Sequence, residues 1–178
     1  IDLKSAIQSG AIRYIGDEIT AAYIAELEEA ALRTPHASAV KIAYTPLHGT
    51  GYRIIPDVLR HFGFSNICIQ EEQSRPDGSF PTVSYPNPEE KEAMQMVTRL
   101  AEKEGADILL ATDPDADRMG VGFRGPDGEY MLINGNQIGT MLEYYLLSRS
   151  KENGDLPENA AVVKTIVTTE LQRDIAAS

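Results

Sequence analysis

Cysteine is nearly absent from these 178 residues, with Cys68 the only one. A single thiol cannot close an internal disulfide, so a disulfide-built secreted scaffold is excluded and a reducing, cytoplasmic setting is expected. Basic residues are also scarce: 16 Lys and Arg stand against 27 Asp and Glu, a formal net charge of −11. A surface of that sign repels a phosphate backbone, which argues against nucleic acid as a partner. It leaves room for a small phosphate held by a few local donors or through a metal. No apolar run approaches the roughly 18 residues of a membrane helix, and no signal peptide opens the chain, so no membrane partner is expected. Methionine is missing from the start: the chain opens on Ile1 and its first methionine is Met94. We therefore read it as a segment of a longer protein, or as a processed chain. Its 42% hydrophobic and 24% charged content is that of an ordinary globular protein, which excludes a disordered tail or a fibrous repeat. The length allows one domain, or one domain plus part of another.

What is present alternates helical patterns with short apolar runs. Ile19, Tyr23, Ile24, Leu27 and Ala31 recur at helical spacing between acidic residues, predicting a helix over 17–32. Residues 1–16 carry no clear signal and are read as an arm or short helix. The run AVKIAY at 39–44 predicts a buried strand, and TPLHGTG at 45–51 a loop punctuated by Pro46, Gly49 and Gly51. A helix over 53–62 and a second strand over 66–70 follow. The loop over 71–88 is rich in Pro, Ser, Asp and Gly, and a loop of that size in a compact domain is usually functional or mobile. Pro88 opens and Gly105 closes a helix over 88–104. ADILLA at 106–111 predicts a third strand, and 119–124 with 129–133 a hairpin around Gly125-Pro126-Asp127-Gly128. A helix over 136–150, a polar linker over 151–159, a strand over 161–167 and a helix over 170–177 complete the reading. Strands separated by helices imply the α/β class: a three-layer α/β/α arrangement with a mainly parallel mixed sheet. Ligands in such sheets sit beyond the carboxyl ends of the strands. TPLHGTG and TDPDADR each follow a strand directly, so both are expected at one edge.

Asp113-Pro114-Asp115-Ala116-Asp117-Arg118 is the most informative stretch. Residues two apart in extended backbone face one side, so the three Asp can converge. Three carboxylates held together repel, and a hard divalent cation with oxygen ligands would neutralise them; Mg²⁺ often takes a few carboxylates plus phosphate oxygens. The competing reading is a solvated acidic turn, since Asp and Pro are good turn formers. An EF-hand is excluded, because its sixth and twelfth positions require Gly and Glu where this chain has Arg118 and Arg124. The dehalogenase-like phosphotransferases place a D-x-D after a strand, with one Asp as nucleophile, but normally after the first strand; here it follows the third.

The combination of TPLHGTG, Pro-Asp-Gly-Ser-Phe-Pro at 76–81, Pro-Asn-Pro-Glu at 86–89 and ATDPDADRMGV resembles the α-D-phosphohexomutases, closest to their phosphoglucomutase/phosphomannomutase branch. The order and spacing of these segments agree, over nearly the whole chain. The resemblance implies four domains around a cleft, with residues 1–127 as the second, metal-binding domain and 128–178 as the opening βα elements of a similar third. It implies interconversion of hexose 1-phosphate and hexose 6-phosphate through a phosphoserine and a bisphosphate intermediate, with glucose 1-phosphate the first substrate guess. By motif position Asp113, Asp115 and Asp117 would hold Mg²⁺ and Arg118 would lie near the serine phosphate, where its fork of donors suits phosphate; a local salt bridge to one of the Asp is compatible with that. No serine in this sequence is followed by histidine, so the family's serine loop is missing and the chain alone is expected to be inactive without the remaining domains of its parent. Two other readings stay open: a dehalogenase-like metal-dependent phosphatase with Asp113 as nucleophile, and a non-catalytic module binding metal or sugar phosphate.

The remaining candidates are weaker. His48, beside Gly49 and Gly51, either faces the cleft and touches a phosphate or the metal loop, or packs within its own loop. His36 and His61 are expected on the surface, and Cys68 in the core. Asp77, Gly78 and Phe80 are expected to shape the cleft or simply to form turns. Lys164, Thr168 and Thr169 receive no role. At most one of Met94 and Met96 should face the core.

Overall fold

The computed structural model describes residues 2–31 and 37–178. The chain divides into two compact units, Ile1–Arg33 and Thr34–Ser178.

The first unit holds two helices. α1 (Leu3–Gln8) begins at Asp2, whose carboxylate accepts the Ser5 N–H and hydroxyl, each at 3.0 Å. This is an N-cap, and the Ser5 backbone bond holds the Asp2 carboxyl below the usual carboxylate range. α2 (Asp17–Ala30) carries Asp17 and Glu18 in its first turn, where the helix dipole favours negative charge. Ile19 and Tyr23 on its expected apolar stripe are about half exposed, at 49% and 52%, so that stripe is only partly covered. His36 lies outside the described residues.

The second unit is built on one sheet. Its strands are β1 (Lys41–Thr45), β2 (Asn66–Ile69), β3 (Ile108–Thr112), β4 (Met119–Arg124) and β5 (Tyr130–Ile133), in the order β2-β1-β3-β4-β5. β1 runs parallel to β2 and β3, while β4 and β5 add antiparallel pairs, so the sheet is mixed. α3 (Gly51–His61) joins β1 to β2, and α4 (Lys91–Glu104) carries the chain from β2 across β1 to β3. These crossovers run in opposite directions along the sheet. Right-handed connections therefore put α3 and α4 on opposite faces, giving three layers. Alternation along β1 agrees: Ala43 joins the core under α4 with Leu109, Ala111, Met94, Val97 and Ala101, while the Tyr44 hydroxyl lies beside Gly51 at the start of α3. α4 ends at Gly105, in the left-handed conformation expected of a helix-closing glycine.

Several expectations are corrected in detail. α4 starts at Lys91 rather than residue 88, because Asn87 and Pro88 belong to a turn in which Glu90 N–H bonds the Asn87 carbonyl. Met94 is buried and Met96 half-buried. Cys68 is half-buried rather than core: β2 is an edge strand, and its thiol lies 3.9 Å from a Glu104 carboxylate oxygen. His61 is exposed at the end of α3. After β5, α5 (Gly135–Asn153) opens on a capping box between Asn134 and Gln137, and α6 (Leu171–Ala176) packs on it. Residues 161–167 form no strand; Val163, Ile166 and Val167 are 94%, 97% and 81% exposed. A β-branched run becomes a strand only with a ladder partner for its N–H and C=O groups, and none stands beside it among the described residues.

Candidate metal centre

β1 and β3 lie side by side and parallel, so their carboxyl ends and the loops that follow share one edge. The first of these loops, 46–50, turns through two successive left-handed residues, Leu47 (φ 47°) and His48 (φ 62°). The second, 113–118, turns through left-handed Ala116 (φ 61°), whose N–H bonds the Asp113 carbonyl at 3.0 Å. Such conformations cost a non-glycine residue about 1–2 kcal/mol each and persist only where the surroundings enforce them.

The carboxylates of Asp113, Asp115 and Asp117 each offer an oxygen, and these oxygens all lie within 4.8 Å of one another. The turn at Ala116 brings them together, not the extended backbone that the two-residue spacing suggests. Asp113 is buried at 7% exposure, while Asp115 and Asp117 are exposed. One Asp113 oxygen accepts the Arg118 N–H at 3.0 Å, which leaves the other for a ligand. The Arg118 guanidinium is about half exposed and stands 3.9 Å from Asp113 and 3.8 Å from Asp117. One cation at that distance offsets the mutual repulsion of three carboxylates only in part. A set of hard oxygen donors on one loop, carrying excess negative charge, fits a hard divalent cation such as Mg²⁺.

The two loops touch at Pro114. Its carbonyl accepts both the Thr50 N–H at 2.8 Å and the Thr50 hydroxyl at 3.1 Å. Gly49 is pressed against the same residue: a Cβ there would stand 2.6 Å from the Pro114 carbonyl oxygen and 2.8 Å from that of Asp113. Thr50 precedes α3 with helical backbone (φ −73°, ψ −19°) rather than the extended backbone of a side-chain cap, and its hydroxyl makes no capping bond.

His48 is buried at 4% exposure and bonds Thr82 in the long loop at 2.8 Å. Thr82 also accepts from the Gln73 amide at 2.9 Å, and Gln73 in turn accepts the Thr45 hydroxyl at 2.7 Å. A buried polar chain thus ties the end of β1 to the 71–88 loop. In that loop Asp77 accepts the Ser79 hydroxyl and N–H, which hold its carboxyl below the usual range. Phe80 is left-handed (φ 46°) and rests against the core. Lys164 bonds Glu170 at 2.7 Å, and the Thr169 N–H bonds the Asn136 side chain at 2.9 Å, both within the segment after β5. Thr82, Gln73, Tyr44 and Thr112 were not singled out from the sequence. No local pattern marks them, because their partners are distant in the chain.

Tyr44, next to last in β1, and Thr112, the last residue of β3, bond through their hydroxyls at 2.8 Å beneath the two loops. Burial pushes the Tyr44 phenol up to about 12, the Thr112 bond offsetting this only in part. The folded value lies above the ordinary 10, so folding favours the neutral phenol. Stability is therefore full below about pH 10 and falls between about pH 10 and 12 as the unfolded chain ionises first. Tyr44→Phe is expected to cost about 1–2 kcal/mol at neutral pH, since the Thr112 hydroxyl loses its partner. Urea midpoints of the variant should then fall less across that alkaline window than those of the unaltered protein; parallel losses would refute this reading of Tyr44.

Comparison with known proteins bears on the family and the fold. The sequence profile of the phosphoglucomutase/phosphomannomutase alpha/beta/alpha domain II matches residues 21–125. A Staphylococcus saprophyticus phosphoglucomutase is 36% identical over 180 residues, covering 99% of this chain and 31% of the relative. A Staphylococcus haemolyticus phosphoglucomutase is 41% identical over 139 residues, covering 78% of this chain and 25% of the relative. The chain thus spans under a third of the length of these relatives. Among solved structures, a candidate phosphomannomutase from Thermus thermophilus superposes with TM-score 0.55 at 22% identity, over 75% of this chain and 29% of its own. A phosphoglucomutase/phosphomannomutase family protein from Burkholderia thailandensis gives TM-score 0.52 at 23% identity, over 62% of this chain and 22% of its own. These two show the fold alone; the profile match, over more than half of the chain, shows that the chain belongs to the phosphoglucomutase/phosphomannomutase family and carries its alpha/beta/alpha domain II.

Proposed function

We propose that this chain is the metal-binding part of a hexose-phosphate mutase acting between the 1- and 6-phosphates. The observation that carries the reading is the convergence of Asp113, Asp115 and Asp117 within 4.8 Å at the carboxyl edge of the sheet. These residues would hold Mg²⁺. When bound, the ion supplies positive charge against a phosphoryl group in transfer. Asp113 is pinned through the Arg118 N–H, so its carboxylate meets a ligand from a fixed direction. The Arg118 side chain is about half exposed, so its planar fork of donors can take a phosphate beside its long ion pairs to Asp113 and Asp117. His48, enclosed and bonded to Thr82, is suited to tying the long loop to the site rather than to touching a phosphate itself.

Residues 1–127 would be the second domain of the parent enzyme and 128–178 the opening of the next; the end of the profile match at residue 125 favours that division, while β5 still pairs with β4 in the same sheet. The remaining domains of the parent would contribute the phosphoserine, the contacts to the sugar and to the bisphosphate, and hence activity. No serine of this chain is followed by histidine, so the chain alone is expected to be silent.

The test compares the longest natural protein that contains this segment with the 178-residue chain. Both are assayed for conversion of glucose 1-phosphate to glucose 6-phosphate in Mg²⁺, then in EDTA. Turnover by the longer protein that stops in EDTA and returns with Mg²⁺ is expected, with none from the chain alone. Turnover by the chain alone would overturn its expected inactivity. Chelator-resistant activity in the longer protein would overturn the role given to the three aspartates.

A further inference from the structure

We propose that Gly49 and Thr50 are positioning residues that set the metal affinity of the aspartate loop by clamping its Pro114 carbonyl; the inference rests on reading Asp113, Asp115 and Asp117 as metal ligands. Three independent features meet at this contact. Pro114 separates the first two aspartates and has no N–H of its own, so its carbonyl is the only main-chain polar group by which it can be held. That carbonyl takes two donors from one residue, the N–H and hydroxyl of Thr50. The Thr50 backbone is helical (φ −73°, ψ −19°) and its hydroxyl makes no capping bond to α3, so both donors are turned to this contact. Gly49 completes the clamp by having no side chain: a methyl there would collide with the carbonyl oxygens of both Pro114 and Asp113. Strained left-handed residues flank the contact on both sides, Leu47 and His48 in one loop and Ala116 in the other.

The physical consequence concerns binding. Three repelling carboxylates gathered on a free loop would spread apart, and a cation would have to order them as it bound. A loop already held in its gathered form loses less freedom on binding, so its affinity is higher. Neither Gly49 nor Thr50 offers an oxygen to the cation in this scheme. Both act through Pro114.

The experiment titrates Mn²⁺ into the 178-residue chain and follows free Mn²⁺ by electron paramagnetic resonance, for the unaltered protein and for Thr50→Val, Thr50→Ser and Gly49→Ala. Thermal midpoints are recorded in chelator alongside. Thr50→Val, which keeps the N–H bond and loses the hydroxyl bond, should weaken Mn²⁺ binding about threefold, with Thr50→Ser restoring it. Gly49→Ala, which forces the loops apart, should weaken it by about tenfold or more. A merely structural role would lower the chelator midpoint and leave the Mn²⁺ affinity of the folded protein alone. That result in Thr50→Val, which is expected to fold whatever Gly49→Ala does, overturns the proposal. Failure of the unaltered protein to bind Mn²⁺ would instead overturn the metal reading itself, and the clamp with it.

Discussion

Asp115→Asn is expected to weaken Mn²⁺ or Mg²⁺ binding by about a hundredfold or more, while the thermal midpoint in chelator stays level or rises. Asp115 is exposed on its loop, and among the described residues no side-chain hydrogen bond or ion pair involves it. The substitution therefore breaks nothing in the metal-free protein. It relieves repulsion instead, because three carboxylates fall to two within the 4.8 Å cluster. Against a cation the same change removes a negative charge and a strong hard donor together, and ligand charge is what chiefly tunes affinity for such ions. Loss of a residue that merely supports a ligand typically costs 10- to 100-fold, so loss of a ligand itself should reach the upper end or pass it. The measurement is a Mn²⁺ titration read by electron paramagnetic resonance, with the thermal midpoint in EDTA as the control. An affinity within about threefold of the unaltered protein would sink the metal assignment. Asp113→Asn would be the poorer choice, because Asp113 also accepts the Arg118 N–H and is buried, so its folded role and its ligand role are mixed.

Much of this arrangement could be read in advance, and the limits fall where the physics becomes long-range. AVKIAY and ADILLA were legible as strands because β-branched and apolar residues sat in short runs between turn signals. Both stand in the sheet as neighbours, β1 and β3, and the edge shared by their following loops came from that connectivity alone. AVVKTIV carries the same local signal and forms no strand, because a ladder partner is supplied by another segment and not by the run itself. Cys68 shows the same limit in burial: Ile67 and Ile69 beside it suggested core, but β2 is an edge strand, and strand order is not written in local composition. In the site, the aspartate spacing pointed to convergence for a partly mistaken reason. The two-residue period suggested extended backbone, whereas the turn at left-handed Ala116 gathers the carboxylates. His48 was marked by its glycine neighbours, but its partner Thr82 lies 34 residues away and no periodicity connects them.

Leu109→Ala is expected to remove about 3–5 kcal/mol of folding stability, a large share of the roughly 5–15 kcal/mol that a domain of this kind holds. Leu109 is fully buried near the start of β3, in the cluster under α4 with Ala43, Met94 and Val97. Its antiparallel partner across the sheet is Gly122, where an added Cβ would come within 2.9 Å of the Leu109 side chain and 2.9 Å of Leu132. The leucine occupies space that the glycine leaves open, so truncating it creates a cavity in the core. Gly122→Ala alone should also destabilise the protein, by crowding the same spot. Combined, the two changes should cost less than their sum, because the new methyl enters the space the leucine vacates; residues in contact couple in this way. Urea unfolding of the four proteins, with the slope unchanged, reads the coupling directly. Strict additivity would show that Leu109 and Gly122 do not share one packing site. The folded fraction of Leu109→Ala should still bind Mn²⁺ within about threefold of the unaltered protein. Leu109 supports the strand that delivers the aspartate loop, whereas the loop is held from its other side by Thr50, and that bond leaves the leucine untouched.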